Sequence, residues 1–408
     1  MTALPTRTVV VALSVSLLVT AARPASAQDP AGPEARPTMK IGPVELWPTM
    51  TFRNIGVDNN VFNEPENPKS DFTLTVVPNL TALVRPDWMR LSYTSLSEFV
   101  YFATYKSERG INRGFDARFD LFLPFAQPYL TAGAMLTKER PNREIDERAP
   151  RQLRSYSAGL RFKLGTVSSV SAGVRRNTSR YVEAGRLFRG IDLGEELNNE
   201  TDGVEAAFQV DLTPLTTVGV TVARQEDRFD TKPLRNSDSL RVTPTVLFKP
   251  FGLFSGSASV GYLRFDAVDP DVEDYAGFVA NGSIGFLLLD RYRFETTFGH
   301  DMRYSYDEQT PTYVGKSIAA SLRTDLFGGL DVKVSSARDV MAYRALAGQQ
   351  APPADIHFMY GAGLGYTLIT NMRLGVEAEF WQRTSDRAGR GYRNNRIFAT
   401  LNWGVTPQ

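Results

Sequence analysis

The chain has 408 residues, 46 of them basic and 45 acidic, with 42% apolar and 11% aromatic side chains and no cysteine. Balanced charge excludes a dominant nucleic-acid footprint, the apolar share excludes a wholly disordered chain, and the lack of thiols excludes disulfide frameworks, thiolate zinc sites and cysteine nucleophiles. Two histidines, His300 and His357, leave little room for imidazole chemistry.

Residues 1–27 read as a cleaved secretory signal. Arg7 is the positive n-region, Val9 to Val19 the apolar h-region, and Ala25-Ser26-Ala27 the small-x-small cleavage site before Gln28. The apolar run falls short of the about 20 residues a membrane anchor needs. Loss of Arg7 and Arg23 leaves 44 basic against 45 acidic groups, a formal charge of −1. Residues 28–47, rich in Pro, Gly and Ala at their start, read as a periplasmic lead-in with no fold of its own. Residues 48–408 read as one β domain.

From there the chain alternates with period two. Phe115, Ala117, Phe119 and Leu121 oppose Asp116, Arg118 and Asp120. Tyr292, Phe294, Thr296 and Phe298 oppose Arg293, Glu295 and Thr297. Leu330, Val332 and Val334 oppose Asp331, Lys333 and Ser335, and Met372, Leu374, Val376, Ala378 and Phe380 oppose Arg373, Gly375, Glu377, Glu379 and Trp381. Such alternation is a strand with one apolar and one polar face; a helical period would mix the two sets.

Eight tight turns, at Pro86-Asp87, 124–127, 165–168, Pro214, 250–252, Asp290-Arg291, 327–329 and Thr370-Asn371, alternate with nine long polar segments: 58–70, 104–111, 139–150, 182–200, 225–236, 267–274, 306–312, 344–354 and 385–391. Seventeen connections join eighteen strands, with both chain ends on the short-turn side. The expected fold is therefore all-β: an antiparallel up-and-down transmembrane barrel with short periplasmic turns and long extracellular loops. Propeller blades share the period of about 40 residues but need four short strands in each repeat, and a sandwich would turn its apolar faces inward.

Trp88, Phe125, Tyr129, Phe162, Phe248, Phe251, Phe254, Tyr292, Phe327 and Trp403 lie beside the short turns, as a periplasmic aromatic girdle would. The bland alternative is that aromatics favour strands. The polar faces nominate Arg118, Asp120, Arg293, Glu295, Arg323, Asp331, Lys333, Arg373, Glu377 and Glu379 as lumen-facing, either as paired wall charges or as a selectivity track. Gly361, Gly363 and Gly365 leave room on that face, and no helix follows them to make a dinucleotide fingerprint. Eighteen strands enclose an aqueous channel, which an inward loop, for instance 182–200, could narrow.

Chemistry is sparsely signalled. His300 adjoins Asp301 and His357 follows Asp355, but adjacent strand residues face opposite ways, so Asp301 cannot readily orient His300 and no catalytic set is nominated. Asp269, Asp271, Glu273 and Asp274 read as a solvated loop before a cation site, and Lys138 to Arg148 likewise as an exposed loop of mixed charge. No cofactor and no metal is expected.

Trp47-Pro48, Val57-Asp58-Asn59-Asn60-Val61-Phe62, Ser70-Asp71-Phe72 and Pro78 together resemble the opening of a family of β-barrel porins encoded with exopolysaccharide and capsule synthesis operons. The resemblance covers about forty residues by motif. It departs at Val57, where the family usually carries an aromatic, and at the chain end, which continues past Trp403 where many outer-membrane barrels stop on an aromatic. Read from the residues alone, Asp58, Asn59 and Asn60 build a loop through their own side chains. The resemblance implies an outer-membrane conduit for secreted polysaccharide or other solutes, with no catalytic residues. Its expected partners are outer-membrane lipid and lipopolysaccharide, polysaccharide, and export-machinery proteins. A plugged adhesive barrel and an outer-membrane hydrolase are the alternatives.

Overall fold

The computed structural model describes residues 37–182, 187–249, 253–289 and 291–404. The expected signal and the first part of the lead-in lie outside them, as do the turn 250–252, Asp290 and part of the 182–200 loop. Eighteen long strands follow one another: β1 Val44–Asp58, β2 Asp71–Val84, β3 Met89–Phe102, β4 Gly110–Leu121, β5 Ala126–Thr137, β6 Arg151–Leu164, β7 Ser168–Tyr181, β8 Asn199–Thr213 and β9 Thr216–Phe229. The second half contains β10 Ser237–Phe248, β11 Phe254–Ala267, β12 Tyr275–Leu288, β13 Tyr292–Tyr304, β14 Thr312–Asp325, β15 Leu330–Arg344, β16 Asp355–Ile369, β17 Met372–Thr384 and β18 Tyr392–Trp403. Each pairs antiparallel with the next, and β18 pairs with β1, Met50 opposite Trp403 and Asp58 opposite Arg396, so the sheet closes on itself.

Closure leaves no sheet edge along the wall, and every strand carries its backbone bonds to both neighbours. A strand of 14 residues is about 46 Å long, and a barrel tilt near 40° leaves about 35 Å of height, enough to cross an apolar band of about 25 Å with a margin above it. The outer face is apolar and uncovered all the way round: Ile397 is 62% exposed and Phe278 57%, with Ile111, Leu130, Val174, Val260, Ile318 and Leu364 alike. A continuous ring of bare aliphatic and aromatic groups is untenable in water and suits acyl chains. Among the described residues no helix is long and apolar enough to cross a membrane.

Two boundaries differ from the sequence reading. The segment Met39–Ile41 folds back on Val44–Leu46, so part of the expected lead-in is a hairpin. Its cause is the seam: β1 begins well before its partner β18 ends at Trp403, and the hairpin covers the edge left free. Residues 225–229, assigned to a loop, remain in β9, paired with Asp227 opposite Ser237. Arg224, Glu226 and Arg228 on one face and Gln225 and Asp227 on the other make both faces polar there, which hides the alternation. The seam also carries a bulge between Arg53 and Gly56, with Asn54 at φ 55°, a left-handed turn that asparagine tolerates. A Cβ at Gly56 would collide with the Ile397 carbonyl, so β18 can approach β1 only because residue 56 is glycine.

Candidate functional site

The inner wall carries charge as closed pairs. Asp331, 1% exposed, accepts from Arg323 Nη2 at 2.9 Å and from Arg373 Nε at 2.9 Å and Nη2 at 2.7 Å. Arg118 grips Asp120 with both Nε, at 2.8 Å, and Nη2, at 2.7 Å. Lys333 Nζ lies 3.4 Å from Glu377, and Glu379 accepts from the Trp381 indole at 2.9 Å with Arg396 3.5 Å away. Arg293 and Glu295 occupy the same face, across from Arg323 and Ser321 in the β13–β14 pair. All ten charged residues singled out on the polar faces thus sit opposite the bare apolar groups of their own strands.

The glycines of β16 leave room that neighbouring side chains fill. A Cβ on Gly365 would collide with the Arg373 guanidinium, and one on Gly363 would come within 2.7 Å of Glu377 Cγ. Gly363 and Gly365 thus seat side chains of β17, while a Cβ on Gly361 would first meet Ser335 of β15. Tyr129 corrects the girdle. Its ring lies inside, 6% exposed, over Gly159 and Gly173 of the next two strands, with the Arg118 guanidinium 4.8 Å from its centroid. Ring-on-glycine packing of this kind pins strand register. Trp88, Phe125 and Phe327 are outward and exposed at the short turns.

The two histidines share no site. His300 stacks on Phe278 on the outer face, ring centroids 4.0 Å apart, while Asp301 points inward to a two-pronged contact with Arg241 at 2.9 and 3.0 Å. His357 is inside and buried, and the Asp355 carboxylate beside it is taken by Arg390 at 2.9 Å and Tyr343 at 3.1 Å. In the loop 268–274, Asp269 and Asp274 turn their oxygens to the backbone amides of Asp271 and Ala267.

The loop of 138–150, expected to be exposed, is folded across the mouth of the barrel. It springs from β5 and β6 yet reaches β15 and β17, almost opposite. Arg143 lies over the Trp381 ring, 4.3 Å from its centroid, with Asp339 of β15 at 3.8 Å. Arg383 of β17 bonds the Asp146 carboxylate and, at 3.2 Å, the Arg143 carbonyl. Arg390, in the loop 385–391, donates to the Glu144 carbonyl at 3.2 Å and to the Tyr306 hydroxyl at 2.8 Å. Arg148 completes the tether through Glu108 at 3.1 Å. Ile145 and Ala149 then pack with Phe188, Leu193 and Tyr306 into a buried cluster, so the described part of the 182–200 loop joins the cap without forming it alone. Mixed charge hid this. The loop's arginines are read as solvated by their composition, whereas here they satisfy a carbonyl of Val61 and the carboxylates of Glu108 and Asp339, on three other segments.

Glu144 is the odd group in the cap. It is fully buried; one oxygen accepts from Ser305 Oγ at 2.6 Å, and the other has no hydrogen-bond partner. Burial raises its carboxyl from 4.5 to about 7, outweighing the Ser305 bond and the attraction of Arg390, both of which act to lower it. Between those two values the closed cap holds a proton that the opened loop gives up, so closure is strongest in acid and weakens as pH rises towards 7. Mean single-channel conductance is expected to be higher at pH 8 than at pH 5, and Glu144→Gln is expected to flatten that difference. A wild-type protein indifferent to pH over this range would refute the assignment.

The motif residues at the start of the chain close the seam above the bulge. Asp58 accepts from the Asn60 amide at 3.0 Å and from Asn394 of β18 at 2.9 Å. Asn59 and Asn395 exchange bonds at 2.7 and 3.1 Å, and Asn60 reaches the Arg393 carbonyl at 2.9 Å. Asp71 caps the next loop, accepting from the amides of Thr104 and Tyr105, both at 2.9 Å, while Ser70 precedes it at the loop's end. These residues therefore do more than build one loop: three of them join the first strand to the last.

No curated protein matches the chain. Among solved structures it is similar to the outer-membrane protein OpdK of Pseudomonas aeruginosa, at 11% identity and a TM-score of 0.47, covering 88% of this chain and 99% of that one. OccK2 (OpdF) of the same organism, solved with glucuronate, gives 14%, 0.49, 88% and 98%. A BenF-like porin of Pseudomonas fluorescens Pf-5 gives 10%, 0.48, 88% and 99%. A closed ring of eighteen strands, apolar outside and ion-paired within, agrees with a family model that spans nearly the whole of it, residues 39–404, and the chain belongs to that family, described as "Putative beta-barrel porin 2".

Proposed function

We propose that this outer-membrane porin-like barrel is a passive conduit for hydrated solutes, throttled at its outer mouth by the inward loop. The observation that carries the reading is the sidedness of the wall: apolar groups stand bare outside while the inner face is polar and paired. Barrels of this strand number enclose water, so conduction needs no bound group and no chemical step. The reading is non-enzymatic. Secreted polysaccharide is the cargo the motif resemblance suggests, with export-machinery proteins as periplasmic partners and lipopolysaccharide around the outer wall. Purified protein in a planar bilayer should show discrete ion conductance; heat-modifiable, inserted protein that passes no current would refute the conduit.

The second reading, a plugged barrel whose loops bind a partner, is favoured by the cap's own apolar cluster around Ile145, Phe188 and Tyr306. The two readings divide on whether current flows through the intact protein.

A further inference from the structure

None of the ten charges singled out on the inner wall is exposed, although Asp116 of β4 and Lys163 of β6 on the same inner face are. Asp120 is 4% exposed, and Glu377 and Glu379 8% each; all three are spent on partners within the wall, as is Asp331. Their ion pairs lie on β4 and on the run β13 to β18. The inner face of β6 to β12 is of another kind. There Ser155 and Ser157 of β6, Ser171 of β7, Thr221 of β9, Ser257 of β11 and Ser283 of β12 point away from the bare outer valines and aromatics, and Ser155 and Ser283 are exposed. Ser257 faces Ser283 across the β11–β12 pair, and Thr221 faces Thr243 across β9–β10, so the hydroxyls run on from strand to strand. Two cations of this wall are engaged within it: Arg241 is held by Asp301, and Arg175 donates to Gln225 at 2.6 Å, while Lys163 is exposed at the short-turn end of β6.

Resting on the conduit reading above, we infer that solutes travel along the hydroxyl wall of β6 to β12, and that this wall favours uncharged polyhydroxylated molecules over charged ones of the same size. A serine or threonine hydroxyl both donates and accepts, so a sugar hydroxyl can replace wall water bond for bond at little net cost. Successive sites of similar strength let the solute leave as readily as it enters. Past Lys163, which stands beside the short turn of β6, a carboxylate meets Arg241 already held by Asp301 and Arg175 already donating to Gln225, and loses part of its hydration without repayment. The charges identified from the sequence therefore brace the wall, and the neutral residues between them set what passes.

The test uses the full-length protein in liposomes and in planar bilayers. Uptake of a neutral disaccharide should exceed that of the corresponding sugar acid several-fold, and potassium and chloride should carry similar shares of the current. Ser257→Phe and Ser283→Phe, each checked for heat-modifiable folding, should cut disaccharide uptake several-fold. Equal or faster uptake of the sugar acid in the wild type would overturn the inference while leaving the conduit intact, and so would folded phenylalanine variants with unchanged uptake. Absence of both uptake and ion current would overturn the conduit and this inference with it.

Discussion

Replacing residues 138–150 by a short glycine linker should raise single-channel conductance several-fold while leaving the barrel folded. The backbone ladder between β5 and β6 runs from Ala126–Phe162 to Thr137–Arg151 and does not pass through the loop, so closure of the sheet survives its removal. What goes is the bridge over the mouth: Arg143 on Trp381, Asp146 with Arg383, the Glu144 carbonyl under Arg390, and Ile145 in the apolar cluster. Arg383 and Arg390 then face water, which rehydrates them and removes the penalty of an unpaired buried charge. A milder variant unpins the loop without shortening it. Arg383→Ala combined with Arg390→Ala removes the bonds made from the far wall and should give a channel that flickers between the wild-type and the enlarged conductance. A loop-deleted protein that is heat-modifiable and inserted, yet conducts as before, would show that the loop does not obstruct the path.

The division between legible and hidden features follows from what period two encodes. It states which face of a strand a residue occupies, so Arg373, Glu377 and Glu379 separate from Leu374 and Val376, and the strand count follows from the turns. It carries nothing about partners across strands. That Asp331 is held by both Arg323 and Arg373, or that Gly365 exists to seat Arg373, depends on register, which a sequence without its neighbours does not print. Tyr129 departs from the girdle for the same reason: its place in the chain beside a turn suits a girdle, whereas Gly159 and Gly173 on the adjoining strands draw it inside. The cap is the least legible part. Loop residues have no period, and Arg140, Arg143 and Arg148 look solvated until the carbonyls of Val61 and Asp146 and the carboxylates of Glu108 and Asp339 are seen to surround them. The motif Asp58-Asn59-Asn60 is visible as a pattern, but its work at the seam needs the distant partners Asn394 and Asn395.

Asp331→Ala should be among the most damaging single substitutions in the wall, costing about 3–5 kcal/mol, because it leaves two guanidinium groups sharing a buried site with no counter-charge. Arg323 and Arg373 have side chains only 15% and 13% exposed, so water cannot take over the lost carboxylate. Asp331→Asn keeps an acceptor for one of the bonds and should cost less. Replacing all three at once, Arg323→Met, Asp331→Leu and Arg373→Met, removes the desolvation penalty together with the attraction and should return stability to near the wild-type value. Urea titration of the folded fraction, followed by heat-modifiable migration, measures all three. If Asp331→Ala lay within about 1 kcal/mol of the wild type, as an exposed pair would, the site would have to be hydrated. The wall charges would then not brace the barrel. The same series separates structure from transport: a neutral triple variant that stays folded should conduct with the selectivity of the wild type, since the two arginines and one aspartate lie covered within β14, β15 and β17, away from the path along β6 to β12.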